Sequence, residues 1–197
     1  MIKPENNKDV PRWHTAIARR DISRPSRLSL IFGLYSRKET ILDYGCGRGF
    51  DVAALRRDGF DIAAWDPHFF PDSPKKSADT VNLGYVLNVI EKPEERRSVL
   101  KEAFALAQKR LVVSVRPEKE GRGLTNVKPY NDGVLTSAGT FQKFFSHDEF
   151  RKYLIENTGV QPYFIEPHIA VLFKDAAAEQ DFKQEWSSRH KVLPCPR

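Results

Sequence analysis

The run Asp43-Tyr44-Gly45-Cys46-Gly47-Arg48-Gly49 constrains this chain more than any other stretch. It overlaps Thr40 to Tyr44, which reads as a buried strand, and precedes Phe50 to Arg57, which reads as a helix stopped by Gly59. Glycines at such a turn let the backbone reverse sharply and approach a ligand with no Cβ in the way, while the N–H groups of the helix start are ready donors. Strands and helices then alternate along the chain. Pro25 to Tyr35 reads as a helix before the first strand, Phe60 to Trp65 as the second strand and Thr80 to Val86 as the third. A helix opens at Pro93 with Glu94 and Glu95 in its first turn and an apolar stripe of Leu100, Ala103, Phe104 and Ala107; Lys109 and Arg110 suit its C-terminal end. Leu111 to Val115 is the fourth strand, followed by an irregular stretch from Pro117 to Lys143. Ser146 and Glu149 form a capping box for a helix ending at Gly159, and strands near Pro162 to Ile165 and Ile169 to Phe173 precede a polar C-terminal helix. The alternation predicts an α/β fold with a largely parallel sheet, whose ligands bind beyond the carboxyl ends of the strands.

The third glycine separates two cofactor classes. Dinucleotide enzymes place it in G-x-G-x-x-G, but here that position is Phe50 and the glycine falls one residue early, at Gly49. The arrangement instead resembles the acidic-x-G-x-G-x-G loop of class I S-adenosylmethionine (SAM)-dependent methyltransferases. That resemblance implies a Rossmann-like sheet, mostly parallel with one antiparallel strand near the C-terminus, and SAM as cofactor. It places Gly45 and Gly47 under the methionine part of SAM, with Asp43 helping to hold its amino group and Tyr44 and Cys46 among the cofactor contacts. Asp66 and Pro67 end the second strand, where the family pairs a carboxylate with both ribose hydroxyls; the other reading of Asp66-Pro67 is a plain turn start. Asn82-Leu83-Gly84-Tyr85 occupies the slot of the Asn-Pro-Pro-Tyr-like motif of amine methyltransferases, which implies catalytic roles for Asn82 and Tyr85 and a cofactor contact at Leu83. Both prolines of that motif are missing, and a strand-end or cap role for Tyr85 or Asn88 is the alternative. Only twelve residues separate Asp66 from Asp79, where the family has a helix, strand and helix, so one edge strand is expected to be absent. Phe69 or Phe70 then flanks the adenine in place of the acidic residue that the family carries at that strand's end.

Further runs narrow the resemblance: His14-Thr15-Ala16-Ile17, Ser23-Arg24-Pro25, Trp65-Asp66-Pro67, Val81 to Val86 with Asn88-Val89-Ile90, and Asp132 to Ser137 with Gly139 to Lys143. Together they are similar to the DNA phosphorothioation-associated methyltransferases. This implies a bacterial protein encoded near systems that put sulfur into, or police, the DNA backbone, with nucleic acid and a defence-system protein as partners.

Charge agrees with such a partner. The chain carries 32 basic and 26 acidic residues, of which residues 1–38 hold 9 and 3, so the whole net charge of +6 lies in that segment. We therefore divide the chain into a basic N-terminal helical extension, 1–38, and a methyltransferase-like domain, 39–197. Arg12, Arg19, Arg20, Arg24 and Arg27 crowd around Trp13 and His14; His14, Arg19 and Arg24 are candidate phosphate contacts, the alternative being a solvated face. Thr136, Thr140 and Lys143 either touch a phosphate backbone or belong to a β-hairpin packed by Phe141, Phe144 and Phe145. The expected activity is methyl transfer from SAM to nucleic acid, DNA in particular. The alternatives are a small-molecule methyltransferase and a catalytically weak SAM-fold regulator. No apolar stretch approaches the ~18 residues of a spanning helix, and the polar start lacks a signal peptide's core. Two cysteines, Cys46 and Cys195, are too few for a disulfide framework, so a cytoplasmic protein is expected. The five histidines are scattered and no metal-ligand spacing, G-x-S-x-G elbow or P-loop occurs.

Overall fold

The computed structural model describes residues 10–19 and 21–190, with side chains described as far as residue 187; Arg20 and Cys195 lie outside them. A 3-10 turn at Arg12–Thr15 leads to α1 (Arg24–Ile31), whose Ser23 cap accepts the Ser26 N–H. Then come β1 (Thr40–Tyr44), α2 (Phe50–Arg57), β2 (Asp61–Trp65), β3 (Ala78–Gly84), α3 (Pro93–Leu106) and β4 (Ala107–Ser114). After the short α4 (Glu118–Gly121), the strands β5 (Lys128–Tyr130), β6 (Gly133–Leu135) and β7 (Phe141–Gln142) form a small antiparallel sheet. The chain closes with α5 (His147–Thr158), β8 (Tyr163–Glu166), β9 (Ile169–Phe173) and α6 (Ala176–His190).

The main sheet has the order β2-β1-β3-β4-β9-β8. β1 to β4 are mutually parallel, whereas β9 runs antiparallel to both β4 and β8. β2 is an edge strand: the loop from Pro67 to Ser77 returns directly to β3, so the expected absence of one edge strand is observed. α3 and α5 cover one face through Leu100, Ala103, Phe150 and Leu154. Leu28, Ala178 and Phe182 of α1 and α6, with Val52 and Leu55 of α2, cover the other. Burial on both faces accounts for the apolar runs Leu111-Val112-Val113 of β4 and Ile169–Phe173 of β9.

Two sequence expectations are corrected. Lys109 and Arg110 do not end α3; they sit in β4, which begins at Ala107. Lys109 Nζ reaches Glu39 at 2.9 Å and Asp79 at 3.1 Å, and Arg110 Nη1 donates to Glu39 at 2.7 Å and to the Leu34 carbonyl at 2.8 Å, so these cations pin the start of the strand. The third strand ends at Gly84 rather than Val86, because Tyr85 turns the chain with φ +60. The Pro117 to Lys143 stretch is ordered by a buried arginine: Arg96 of α3 donates to Asp132 at 2.6 Å and to the Ile90 carbonyl at 2.7 Å, tying the β5–β6 turn to the main domain. Ser146 accepts the Glu149 N–H at 3.1 Å as half of a capping box; the Glu149 carboxylate goes to Lys143 instead, at 2.7 Å.

Candidate functional site

The carboxyl ends of β1, β2 and β3 open into a cavity of about 1080 Å³. Parallel strands direct this end of the sheet at the β1–α2 turn, where Gly45, Gly47 and Gly49 all have positive φ. Gly45 is required sterically: a Cβ there would lie 2.4 Å from Val86 Cγ2.

Asp43 and Asn82 are paired residues on adjacent strands, and the Asn82 amide donates to Asp43 at 2.7 Å. Both are buried, and both line the cavity. Burial pushes the Asp43 carboxyl up to about 7, although the Asn82 hydrogen bond opposes it. Asn82 Oδ1 has no hydrogen-bond partner. An orphaned acceptor next to a carboxylate costs free energy unless a ligand brings donors, preferably cationic ones. Asp66, at the start of the turn after β2, accepts three backbone N–H groups: Gly47 at 2.9 Å on one oxygen, and His68 and Phe69 at 2.9 and 3.0 Å on the other. It is thus a turn starter and also a clamp on the glycine loop. Burial raises the Cys46 thiol above the usual thiol range, so it stays protonated and offers no thiolate nucleophile.

Of the sequence candidates, Asp43, Tyr44, Gly45, Cys46, Gly47, Asp66, Pro67, Phe69, Asn82 and Tyr85 all line this cavity. Phe70 turns away, into the core cluster beside α2. The Leu83 side chain is fully buried in the core and lies outside the cavity lining, between Asn82 and Gly84, which line it. Tyr85 holds its strained backbone through N–H bonds to Ser114, at 3.0 Å to the carbonyl and 3.1 Å to the hydroxyl. Asn88 takes a structural role, bridging the Lys143 carbonyl and the Arg116 N–H.

The phosphate candidates are dispersed. Arg19 is exposed and lines the cavity. His14 packs edge-on to Trp13 outside the lining. Arg24 lines a second, smaller cavity and is held by Glu166. Thr136 and Thr140 bond to each other at 2.8 Å in the β6–β7 hairpin, and Lys143 is buried between Asp132 and Glu149. The run forms the hairpin of the second reading, with the two threonines bonded to each other and Lys143 paired with Asp132 and Glu149.

Sequence reasoning missed a wall of the cavity. Arg12 forks across Glu91 at 2.8 and 2.9 Å and Glu95 at 2.5 and 2.7 Å, and the Trp13 indole stacks on His68 with centroids 4.8 Å apart and planes at 14°. Asp51, in the first turn of α2, accepts the Ser23 N–H at 2.8 Å and the Ser26 hydroxyl at 2.7 Å, joining α1 to the glycine loop.

No protein-family model matches the chain, and no curated protein matches its sequence. Solved structures do resemble it. The sugar N-methyltransferase KedS8 from Streptoalloteichus sp ATCC 53650 superimposes with a TM-score of 0.55 at 12% identity, covering 78% of this chain and 88% of that one. The 1,6-didemethyltoxoflavin-N1-methyltransferase of Burkholderia thailandensis, with bound S-adenosylhomocysteine (SAH), gives 0.54 at 17% identity over 84% and 78%. A SAM-dependent methyltransferase from Bacteroides fragilis in complex with SAH gives 0.51 at 14% identity over 78% of each chain. At these identities the likeness is one of fold. The chain has the Rossmann-like α/β fold of class I SAM-dependent methyltransferases, shortened by one edge strand.

Proposed function

We propose that this protein is a SAM-dependent methyltransferase acting on nucleic acid, DNA in particular. The carrying observation is the buried Asp43–Asn82 pair, with its orphaned Asn82 oxygen, at the glycine-turn end of a methyltransferase-like sheet. The cavity fits the cofactor by its donor and acceptor set. Two buried acceptors suit a ligand carrying an ammonium and a sulfonium, and Asp66 retains lone pairs for hydroxyl donors beyond its three backbone bonds. When bound, SAM supplies a methyl group already activated by a sulfonium leaving group.

The chain's own task is then alignment, worth up to ~7 to 11 kcal/mol where geometry is ideal. Asp43 accepts donors from the bound cation. Asn82 and Tyr85 both line the cavity at the carboxyl end of β3, where an incoming amine or hydroxyl would be oriented. Arg19 and the exposed apolar side chains Ile17 and Phe50 form a rim suited to phosphate and base contacts. The defence context rests on the sequence runs alone. One observation favours a small-molecule acceptor instead: Arg12 and Arg24, half of the described N-terminal arginine cluster, are engaged by Glu91, Glu95 and Glu166.

Calorimetric titration of SAM and SAH is expected to show saturable binding. Asn82→Ala should then abolish transfer of labelled methyl to oligonucleotides while SAH affinity falls less than about tenfold. Binding without transfer to any acceptor would support the regulator reading, and absence of binding would overturn the cofactor assignment.

A further inference from the structure

Residues 10–19 form one side of the cavity: Val10, Arg12, Trp13, Thr15, Ala16, Ile17 and Arg19 all line it. None of these residues is buried, so the segment is a strap laid over the site rather than a part of the core. Its attachments are few and specific. Arg12 makes four charge-assisted bonds to Glu91 and Glu95, just before and inside α3. Ala16 closes on the glycine loop, where a Cβ on Gly47 would lie 3.2 Å from its own Cβ.

Between these anchors the strap presents an aromatic set. Trp13 lies parallel to His68, and His68 meets Phe69 edge-on at 4.8 Å. Asp66 Oδ1 fixes the amides of both His68 and Phe69, so one carboxylate sets the position of two of the three rings. The loop carrying them stands where a further strand would otherwise wall the cavity.

We propose that the strap is the base-side wall of this cavity, with Trp13 as a stacking surface for a ligand's purine and the Arg12 fork as the latch that holds it closed. Planar rings take up a purine face irrespective of hydrogen bonding, so they can hold the base although no further strand supplies a carboxylate to its edge. The proposal rests on the SAM reading above and extends it to residues outside the sheet. A ligand covered by the strap leaves only when the Arg12 fork opens.

The test compares SAH with S-ribosylhomocysteine, which lacks the purine. Trp13→Ala is expected to weaken SAH about tenfold and leave S-ribosylhomocysteine unchanged, while Trp13→Phe stays within about threefold of wild type. Intrinsic fluorescence gives a second readout, because SAH should quench the wild type and lose most of that quench in Trp13→Phe. Arg12→Ala should speed SAH dissociation about tenfold in stopped flow. Wild-type SAH affinity in Trp13→Ala, or equal weakening of both ligands, overturns the stacking role; unchanged dissociation in Arg12→Ala overturns the latch. A wild type that binds no SAH fails earlier, at the cofactor reading itself.

Discussion

Asp43 is a carboxylate whose surroundings oppose its ionisation. Its folded-state value, about 7, lies above the ordinary 3.8. The native state therefore holds this proton longer than the unfolded chain does. The group's contribution to stability is greatest below pH 4 and declines as pH rises towards 7. Asp43→Asn, which keeps an acceptor for the Asn82 amide, is expected to raise stability at pH 8 by roughly 1 to 3 kcal/mol and leave it little changed at pH 4. Urea unfolding at the two pH values measures this, and equal gains at both would sink the assignment. A cationic ligand should in turn bind more tightly to the wild type as pH rises through 7, a slope the Asn variant lacks. Asp43 and the glycines are legible in the sequence because the motif is local. The burial of the Leu83 side chain is not legible from its motif position, because Thr80, Val81, Asn82 and Leu83 of β3 are all buried. The Arg12 and Trp13 contacts are not legible at all, since their partners lie 79, 83 and 55 residues away.

At the scale of elements, the β1–α2 turn and the turn after β3 are one unit, because Val86 fills the space that a side chain at Gly45 would need. Gly45→Ala incurs two separate penalties: a 2.4 Å clash and a φ of +77 that an L-residue rarely adopts. The expected destabilisation is about 1 to 3 kcal/mol, with loss of SAH binding. Adding Val86→Ala removes the clash but not the backbone strain, so the double variant should recover part of the stability in thermal unfolding. Full recovery would show that φ strain contributes nothing. The elements are legible to the extent that their signals are periodic or punctuated, as with Pro93, Ser146 and Gly159. The absent strand is legible from loop length alone. The start of β4 is not, because charge at Lys109 and Arg110 resembles a helix C-terminus until Glu39, just before β1, and Asp79 of β3 reveal the pairing.

For the whole molecule, the sequence places all of the net charge of +6 in the first 38 residues, but the fold determines how much of it faces outward. Arg12 bridges Glu91 and Glu95 and Arg24 is held by Glu166, whereas Arg19 and Arg27 have no acidic partner among the described residues. Folding has thus engaged part of a basic segment in ion pairs, of which the Arg12 fork shapes the cavity wall and the exposed Arg24–Glu166 pair lies outside it. If DNA is the acceptor, each arginine that neutralises a phosphate contributes about −0.9 to the slope of log affinity against log salt. Arg19→Ala should then flatten the wild-type slope on a short duplex by about one, whereas Arg24→Ala should leave it nearly unchanged. Fluorescence anisotropy over a salt series measures both. Equal flattening by the two variants would mean that the Arg24–Glu166 pair opens on binding. A wild type with no measurable DNA affinity, yet with SAH binding intact, would move the acceptor to a small molecule and leave the basic segment as a wall over the cofactor cavity.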